Sequence, residues 1–297
     1  MNIEVIGVPL YYGCDNPGTQ QAYQIFCREG LVARIEGQGH KVVSCQEVEV
    51  PPVMEKQADP TMEYLQEVQI TCKNLEQAVA AAKDRGNFPL IIGGDHALGI
   101  GSVAGLSHTV PKEDLTVIWV DAHTDINTNE TSASHHIHGM PLAACLGLGS
   151  PKLIEGFGRG GAKLLPQNLF YIGSRSVDPG EEEIVTAHNI RCFAMEELRE
   201  KGMEQCVKEL LSLVKTKYIH VSFDVDFMDG GEYFATGLPI PNGPSVAQTH
   251  QCLKLLMADR RVGSMDFVEY SPKNDGDRRG LAVCMDLLES SLGALRV

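Results

Sequence analysis

Short runs of β-branched and apolar residues alternate along the chain with longer stretches whose apolar positions recur at helical spacing. The runs that predict strands are 3–8, 41–45, 89–93, 115–121, 168–173, 190–193, 218–224 and 263–268. The stretches that predict helices lie near 19–36, 62–84, 101–108, 141–148, 182–188, 203–215, 245–257 and 280–292. A strand followed by a helix, repeated about eight times, is typical of a mostly parallel sheet with helices on both faces.

No Pro-rich linker, composition shift or internal repeat divides the 297 residues. An α/β chain of this length often forms one domain, so residues 1–297 are predicted to be a single domain. Longer loops are predicted at 125–138, 156–167 and 226–244. The first and last of these loops follow acidic motifs. Because ligands of open α/β sheets bind beyond the carboxyl ends of the strands, these motifs indicate where a site would lie.

Composition and charge argue against several classes of protein. A hydrophobic fraction of 43% with 22% charged residues is ordinary for a globular protein. No apolar run approaches the roughly 20 residues of a membrane helix, and no basic segment precedes an apolar stretch at the N-terminus, so neither a membrane partner nor a secretory signal is expected. The formal charge of −14 argues against a nucleic-acid partner, because phosphate binding needs clustered Lys and Arg. Nine scattered cysteines without a CxxC pair are expected to be reduced thiols in the cytoplasm.

Metal-preferring side chains follow three of the predicted strands. They are His96, Asp121, His123, Asp125, Asp224 and Asp226. Residues two apart in a strand point to the same face, so alternate acids at a strand end converge on one point. One such motif alone is equally typical of a turn, where Asp bonds to the local backbone, but its repetition favours a site. Burying four carboxylates together is prohibitively unfavourable unless cations neutralise them.

The residue types in this set indicate the kind of metal centre. Carboxylates and imidazoles without a thiolate favour a hard ion such as manganese over structural zinc. Six ligands exceed the needs of one catalytic ion with an open position, whereas two ions about 3.5–4 Å apart would share bridging carboxylates. Water between two such ions is acidified toward hydroxide near neutral pH. The chain is therefore predicted to be a metalloenzyme with two hard divalent ions, such as manganese, per subunit.

Five segments together resemble the signature motifs of a known family. They are GGDHALGIGS, DAHTDIN, IHGMPLA, SFDVDFMD and FVEYSP. In residues, order and spacing they are similar to the arginase (ureohydrolase) family, and within it to the bacterial-type arginases, over nearly the whole chain. The resemblance implies a three-layer α/β/α fold with a mostly parallel sheet of about eight strands. It also implies a binuclear metal hydrolase that acts on the C–N bonds of linear amidines, and a homotrimer or homohexamer.

The resemblance also implies roles for individual residues. The first Mn²⁺ would be bound by His96, Asp121, Asp125 and Asp224, and the second by His123, Asp121, Asp224 and Asp226. His138 would pass a proton to the leaving amine, a role that suits a side chain whose pKa lies near neutrality. Glu269 would hold the substrate guanidinium, and Asp226 would also stabilise the tetrahedral species. The alternatives are a solvated loop histidine for His138 and a surface carboxylate for Glu269.

Substrate-binding residues are implied on two further segments. They are Asn127, Ser134 and His136 for an α-carboxylate, and Asp178 and Glu181 for an α-ammonium group. The alternative for the two acids is the first turn of a helix, where they complement the helix dipole.

The chain departs from the pattern of arginases proper in four places: His135 replaces Gly, His136 replaces Asn, Leu238 replaces Thr, and NGPS at 242–245 replaces GGLT. His136 is still compatible with an anionic end of the substrate, because imidazole donates a hydrogen bond. The leading hypothesis is hydrolysis of L-arginine, a small guanidino substrate, to L-ornithine and urea. The alternatives are another ureohydrolase (agmatinase, guanidinobutyrase or formimidoylglutamase), a single-metal deacetylase of related fold, and a non-enzymatic relative.

Overall fold

Eight strands form one sheet in the computed structural model, which describes residues 1–296. The strands are β1 (Asn2–Gly7), β2 (Lys41–Glu47), β3 (Phe88–Ile92), β4 (Leu115–Val120), β5 (Leu169–Ile172), β6 (Arg191–Phe193), β7 (Tyr218–Asp224) and β8 (Val262–Val268). Their order is β2-β1-β3-β8-β7-β4-β5-β6, and every neighbouring pair is parallel. Val297, the last residue of the predicted domain, lies outside the described residues.

Helices cover both faces of this sheet. The α-helices are α1 (Ala22–Arg28), α2 (Leu31–Gly37), α3 (Leu65–Asp84), α4 (Gly99–Leu106), α5 (Pro141–Leu146), α6 (Pro151–Ile154), α7 (Pro179–Ala187), α8 (Met195–Lys201), α9 (Met203–Leu213), α10 (Val246–Met257) and α11 (Arg279–Leu292). α1, α2 and α8–α11 pack on one face, and α3–α7 pack on the other. The prediction of a three-layer α/β/α fold with a parallel eight-stranded sheet is confirmed. Within residues 1–296, no helix is both long and apolar enough to cross a membrane.

Side-chain alternation along the central strands divides the core between the two helical layers. In β4, Ile118 and Val120 pack toward α1 and the C-terminal helices, whereas Val117 and Trp119 pack toward α3 and α4. Every residue of β3 and β4 is buried, as expected for parallel strands covered on both faces. The outermost strand β2 instead alternates exposed and half-buried residues, because it lies at the edge of the sheet.

The helix predicted over 19–36 is interrupted in the structure. Gly30 takes a left-handed conformation with φ of 86°, and two short helices replace the single one. The third helix begins at Leu65 because Tyr64 has φ of 51° and the N–H of Glu63 donates to the carbonyl of His135 at 3.0 Å. α6 and α8 are not among the predicted helices, because with 4 and 7 residues they are too short for a helical period to stand out.

Four central strands end at the same edge of the sheet and bring distant segments together. They are β3, β8, β7 and β4, and the predicted metal-binding motifs follow three of them. The turn after β3 requires glycine: Gly94 has φ of 82°, and a Cβ on it would lie 2.6 Å from the carbonyl oxygen of Val8. This turn directs the chain so that His96 lies over the carboxyl ends of the neighbouring strands.

Glu4 is a buried carboxylate of β1 that joins this strand to the end of α3. Its oxygens accept from Nε and Nη2 of Arg85 at 2.8 and 2.7 Å, and from Nδ2 of Asn87 at 2.6 Å. The hydrogen bonds with Arg85 hold the pKa of Glu4 below its usual value. A carboxylate with a lowered pKa stabilises the fold above its unfolded pKa of about 4, and this contribution is lost as the pH falls through the lowered value.

We predict that Glu4→Gln lowers the free energy of unfolding by about 1–2 kcal/mol at neutral pH, because the guanidinium of Arg85 loses its charged partner. The loss stays this small because half of the Arg85 side chain is already exposed to solvent. Denaturant titrations at neutral pH and at about pH 3 measure the effect, and the difference from the parent is expected to shrink in acid. Glu47→Gln, on the exposed side of β2, is the control and should change stability by less than about 0.5 kcal/mol. An equal loss at both pH values would contradict the prediction.

Candidate metal centre and active-site pocket

The six predicted metal ligands converge at the carboxyl edge of the sheet. They are His96, Asp121, His123, Asp125, Asp224 and Asp226, all buried except the half-buried His123. Their backbone positions follow from the parallel sheet, since β3, β4 and β7 all end at this edge. Their assignment as metal ligands stays a prediction.

The first group of ligand atoms surrounds Nδ1 of His96. The Oδ2 atoms of Asp121, Asp125 and Asp224 lie 2.9, 3.1 and 3.3 Å from this nitrogen. The imidazole stacks on the indole of Trp119, with ring centroids 3.8 Å apart and an interplanar angle of 11°. This stacking fixes the plane of the ring, so that Nδ1 points toward the three carboxylates.

The second group surrounds Nδ1 of His123. Oδ2 of Asp226 lies 3.0 Å from it and Oδ1 of Asp121 lies 3.5 Å from it. In each of two sets, His96 with Asp121 and Asp224 and His123 with Asp121 and Asp226, the ligand atoms lie within 4.8 Å of one another. Because Asp121 belongs to both sets, one carboxylate stands between two candidate ion positions, as in a two-ion centre.

The acidic motifs also form the local turns that were the alternative explanation for them. Oδ1 of Asp121 accepts from the backbone N–H of His123 at 2.7 Å, and Oδ1 of Asp224 accepts from the backbone N–H of Asp226 at 2.7 Å. In both residues the other oxygen, Oδ2, faces the imidazole of His96. The turn hydrogen bond therefore orients each carboxylate and leaves one oxygen toward the centre.

Burial and mutual repulsion destabilise the charges of these carboxylates. Burial, followed by repulsion from Asp121, raises the pKa of Asp125 to about 6 and that of Asp226 to about 6. Burial and the neighbouring Asp226 raise the pKa of Asp224. Asp121 has a lowered pKa, because its contacts with His123 and His96 outweigh its burial. The cluster therefore either retains protons or binds cations.

The residues of the centre fit a pair of divalent cations. Nδ1 of His96 and Oδ2 of Asp121 are buried atoms without a hydrogen-bond partner, although they lie 2.9 Å apart. A buried polar atom without a partner is costly, and a cation coordinated by both would remove that cost. The donor set, carboxylate oxygens with two imidazole nitrogens, suits a hard ion such as manganese.

Glu269 and His138 lie beside the centre. Glu269 follows β8 with φ of 66°, a strained conformation for a residue with a side chain and one that clusters at functional sites. Its Oε1 accepts from the backbone N–H of His96 at 2.9 Å, and burial raises its pKa to about 7. Nδ1 of His138 lies 3.8 Å from the same oxygen, and burial lowers the pKa of its imidazole. Neither side chain is a freely solvated group.

A pocket over the centre contains about 520 Å³ of space between atoms, part of it open to solvent. It is lined by Cys14, Asn16, His123, Asp125, His136, His138, Asp224, Asp226, Gly237, Leu238 and Glu269. The lining residues, all of them in the described part of the chain, include no Lys or Arg. A ligand in this pocket therefore meets mainly carboxylates and imidazoles.

Four of the predicted substrate-binding residues do not line this pocket. They are Asn127, Ser134, Asp178 and Glu181. Asp178 caps α7 and accepts from Nδ2 of Asn127 at 3.0 Å. Glu181 accepts from the backbone N–H groups of Ile126 and Asp178, both at 3.0 Å. The helix-opening arrangement is thus present, and a role of these residues in substrate binding stays a prediction.

His136 does line the pocket, and a charged cluster lies behind it. Its Nε2 is 3.4 Å from Oε2 of Glu63, and that oxygen is 3.3 Å from Nζ of Lys56. Nζ of Lys56 is also 2.5 Å from Oδ2 of Asp15, whose Oδ1 accepts from the Tyr64 hydroxyl at 2.8 Å. We call these five residues the rim cluster. Burial lowers the pKa of His136, so the cluster carries two carboxylates against one ammonium at neutral pH.

The sequence analysis did not single out several residues that position the centre. Asp95 accepts from the backbone N–H groups of Gly13 and Ala97 at 2.8 and 3.0 Å and so joins the N-terminal loop to the turn that carries His96. Arg175 donates to six backbone carbonyls, including that of Asp226 at 2.9 Å. Asp95 could have been noted because it precedes His96 in GGDH, but the acceptors of Arg175 are distant in sequence. A buried polar row behind His96 was also missed.

The parallel sheet and the two ligand sets at its carboxyl edge define the class of protein as an α/β enzyme with a binuclear metal centre. The profile of the Arginase family matches residues 1–293. The arginase of Brevibacillus brevis is 33% identical over 294 residues, which cover 98% of each chain. The structure of arginase from Bacillus caldovelox has a TM-score of 0.93 at 32% identity, over 100% of this chain and 99% of that one. Entamoeba histolytica arginase, solved in complex with L-ornithine, has a TM-score of 0.90 at 28% identity, over 98% of each chain.

The chain therefore belongs to the arginase family. It is a binuclear metal ureohydrolase that acts on C–N bonds, and the resemblance inferred from the five motifs is confirmed. The single-metal deacetylase and the non-enzymatic relative do not agree with this finding.

We predict that Mn²⁺ raises the unfolding temperature of the chelator-treated protein, because a bound cation removes the repulsion within the carboxylate cluster. At a free concentration of 100 times the dissociation constant, one bound ion stabilises the fold by about 2.7 kcal/mol. Calorimetry across an Mn²⁺ titration measures this gain. Asp224→Asn should lose most of it, whereas Asp277→Asn, an exposed control, should retain it. If Mn²⁺ does not change the unfolding temperature of the parent protein, the metal centre is refuted.

Proposed function

We propose that this protein catalyses the manganese-dependent hydrolysis of L-arginine to L-ornithine and urea. The observation that carries the proposal is the position of Asp121 in two ligand sets beside Glu269 and His138. Family membership supports hydrolysis of a guanidino group. The name of the Brevibacillus relative supports arginine as the substrate, and so does the L-ornithine in the Entamoeba structure, since ornithine is the amine product of this reaction.

The proposed ligand sets are those inferred from the sequence. One Mn²⁺ would be held by His96, Asp121, Asp125 and Asp224, and the other by His123, Asp121, Asp224 and Asp226. When bound, the two ions would supply positive charge and acidify the water that attacks the guanidinium carbon. The carboxylates contribute most of the negative charge that holds the ions, and the turn hydrogen bonds at Asp121 and Asp224 reduce the reorganisation that binding requires.

Glu269 is proposed to hold the substrate guanidinium. The backbone N–H of His96 fixes its Oε1, so the orientation of the carboxylate is set before substrate arrives. A guanidinium next to this carboxylate stabilises its ionised form, which burial alone disfavours. The pair would place the guanidinium carbon beside the centre, and Asp226 would stabilise the tetrahedral species there.

His138 is proposed to carry the proton that the leaving amine requires. Burial keeps its imidazole neutral at physiological pH, so it first accepts a proton and then donates it. One water is consumed: its oxygen becomes the urea oxygen, the bond from carbon to the chain nitrogen breaks, and both of its hydrogens end on that nitrogen, which leaves as an ammonium group. This residue completes the balance of the hydrolysis.

Recognition of the far end of the substrate is the less constrained part of the proposal. His136 is proposed to contact the α-carboxylate from the pocket wall, with Asn127 and Ser134 on the same loop, and Asp178 and Glu181 to recognise the α-ammonium group. A second candidate substrate is agmatine, which ends in an ammonium group and has no carboxylate. The rim cluster favours agmatine, because it contains two carboxylates, Asp15 and Glu63, and only one ammonium group, Lys56. The excess negative charge would attract the ammonium end of agmatine.

Three further predictions belong to the same proposal. Residues 1–297 are proposed to form one catalytic domain, because all eight strands belong to one sheet. A homotrimer or homohexamer is supported by the family resemblance. A cytoplasmic location is supported by nine cysteines that are all free thiols in the structure.

We predict that the Mn²⁺-loaded protein turns over L-arginine with a higher kcat/KM than agmatine, 4-guanidinobutyrate or formimino-L-glutamate. Product formation across this panel, with and without Mn²⁺, measures the preference. Asp224→Ala should abolish turnover because it removes a ligand of the centre, whereas Asp277→Ala should retain it. A preference for agmatine would replace arginine by the second candidate, and no turnover of any guanidino compound would refute the proposal.

We predict that His136→Ala raises KM for L-arginine by about tenfold with little change in kcat, as expected when one hydrogen bond to a charged group is lost away from the reacting atoms. KM for agmatine should change less, because agmatine has no carboxylate. Steady-state kinetics on both substrates test this. His188→Ala, an exposed histidine next to the end of α7, is the control. Equal changes for both substrates would exclude His136 from carboxylate recognition.

A further inference from the structure

A row of fully buried polar side chains lies behind His96, at the ring nitrogen opposite the metal centre. It consists of Ser102 on α4, His220 and Ser222 on β7, and Ser264 and Asp266 on β8, all with 0% exposure. The register of the sheet pairs His220 with Ser264 and Ser222 with Asp266. We call these five residues the polar row. None is a predicted ligand or substrate contact, and the proposed function gives them no role.

Hydrogen bonds connect the polar row to His96. Nε2 of His96 lies 2.9 Å from Oγ of Ser222, whose hydroxyl donates to Oδ2 of Asp266 at 3.2 Å. The same carboxylate oxygen accepts from Ser102 Oγ at 2.7 Å and from His220 Nε2 at 3.0 Å. Oγ of Ser264 lies 2.9 Å from Nδ1 of His220. Three donors therefore converge on one oxygen of Asp266.

The number of hydrogens available determines whether Nε2 of His96 donates to Ser222 or accepts from it. Ser222 has a single hydroxyl hydrogen, and it donates that hydrogen to Oδ2 of Asp266. The oxygen of Ser222 is then left to accept from Nε2–H of His96. If Ser222 instead donated to Nε2, two oxygens 3.2 Å apart would face each other without a hydrogen between them.

His220 and Ser102 support this direction because they hold Asp266 as an acceptor. Because Oδ2 of Asp266 is an acceptor for both Ser102 and Ser222, we assign the ring hydrogen of His220 to Nε2, which donates to the same oxygen, and Nδ1 of His220 then accepts from the hydroxyl of Ser264. Ser102 adds a second donor from α4. A buried carboxylate is costly unless donors satisfy it; Oδ2 of Asp266 has three donors, whereas its Oδ1 has no hydrogen-bond partner.

We propose that Ser222 and Asp266 are positioning residues that keep the hydrogen of His96 on Nε2, so that Nδ1 is the nitrogen that binds a cation. Nδ1 is the atom that faces Asp121, Asp125 and Asp224. Because the inference concerns cation binding at this centre, it rests on the proposed function. Partners of the second ring nitrogen orient metal-binding histidines and raise their basicity, and their loss costs about 10- to 100-fold in metal affinity.

Ser222→Ala and Ser102→Ala form a matched pair for the test, since both remove one donor to Asp266 and only the first touches His96. Mn²⁺ affinity is measured by calorimetry with a competing chelator, and thermal unfolding of the metal-free proteins is measured in parallel. Ser222→Ala is expected to lower the affinity for at least one ion by about 10- to 100-fold, and Ser102→Ala to change it by less than about twofold. A purely structural role would move both unfolding temperatures and neither affinity.

The ring hydrogen gives a second readout that does not depend on turnover. In the Zn²⁺-loaded protein labelled with ¹⁵N-histidine, a slowly exchanging Nε2–H signal of His96 is expected for the parent and for Ser102→Ala, and its loss is expected for Ser222→Ala. If the alanine variant does not fold, Ser222→Cys retains the volume and offers only a weak acceptor, with the same expected loss of affinity.

Mn²⁺ affinity of the Ser222 variant within twofold of the parent, or an equal loss in Ser102→Ala, would overturn the inference. If affinities follow the expectation while no guanidino compound is hydrolysed, the proposed function fails and this inference stands. A parent protein that binds no Mn²⁺ overturns both.

Discussion

Mutual repulsion among buried carboxylates is the constraint on which the rest of this structure depends. Asp121, Asp125, Asp224 and Asp226 lie within a few ångströms of two imidazoles, and burial disfavours their charges. In a low-dielectric environment such charges are tolerated when cations or protons compensate them. The fold nevertheless places these carboxylates together. The hydrophobic core between the sheet and its two helical layers stabilises the fold by more than the cost of burying the carboxylates. The chemistry of an acidified water then follows from the same charges that make the cluster unfavourable by itself.

Backbone geometry lets these side chains approach one another without disorder. Turn hydrogen bonds at Asp121 and Asp224 fix one carboxylate oxygen each, and the stacking of His96 on Trp119 fixes a ring plane. Asp125 and Glu269 have φ of 45° and 66°, conformations that cost free energy in residues with side chains. The parallel sheet makes this possible, because neighbouring strands end at one edge and their following loops share that space.

The two sides of the centre differ in how strongly the fold determines them. Behind His96, the polar row is fully buried and its side chains are connected by hydrogen bonds across β7, β8 and α4. In front, His136 and the rim cluster come from three loops and retain solvent contact. The difference has a simple physical basis: hydrogen bonds within a sheet leave little choice of position, whereas loop side chains vary without cost to the core.

The sequence by itself determined the three-layer fold and the residues around the centre, because both depend on local periods. Continuous apolar runs such as that around Trp119 predict buried parallel strands, and acids that follow such strands lie at the carboxyl edge of the sheet, where local turns direct their side chains. The same runs concealed the polar row: His220 and Ser222 are two apart in a strand read as apolar, and their partner Asp266 lies on another strand. Tertiary structure alone decided that pairing. It also decided the break at Gly30, the position of Arg175 and the direction of the Glu181 side chain, which accepts from backbone N–H groups and does not line the pocket. Each of these depends on contacts between residues far apart in the chain, which no local period encodes.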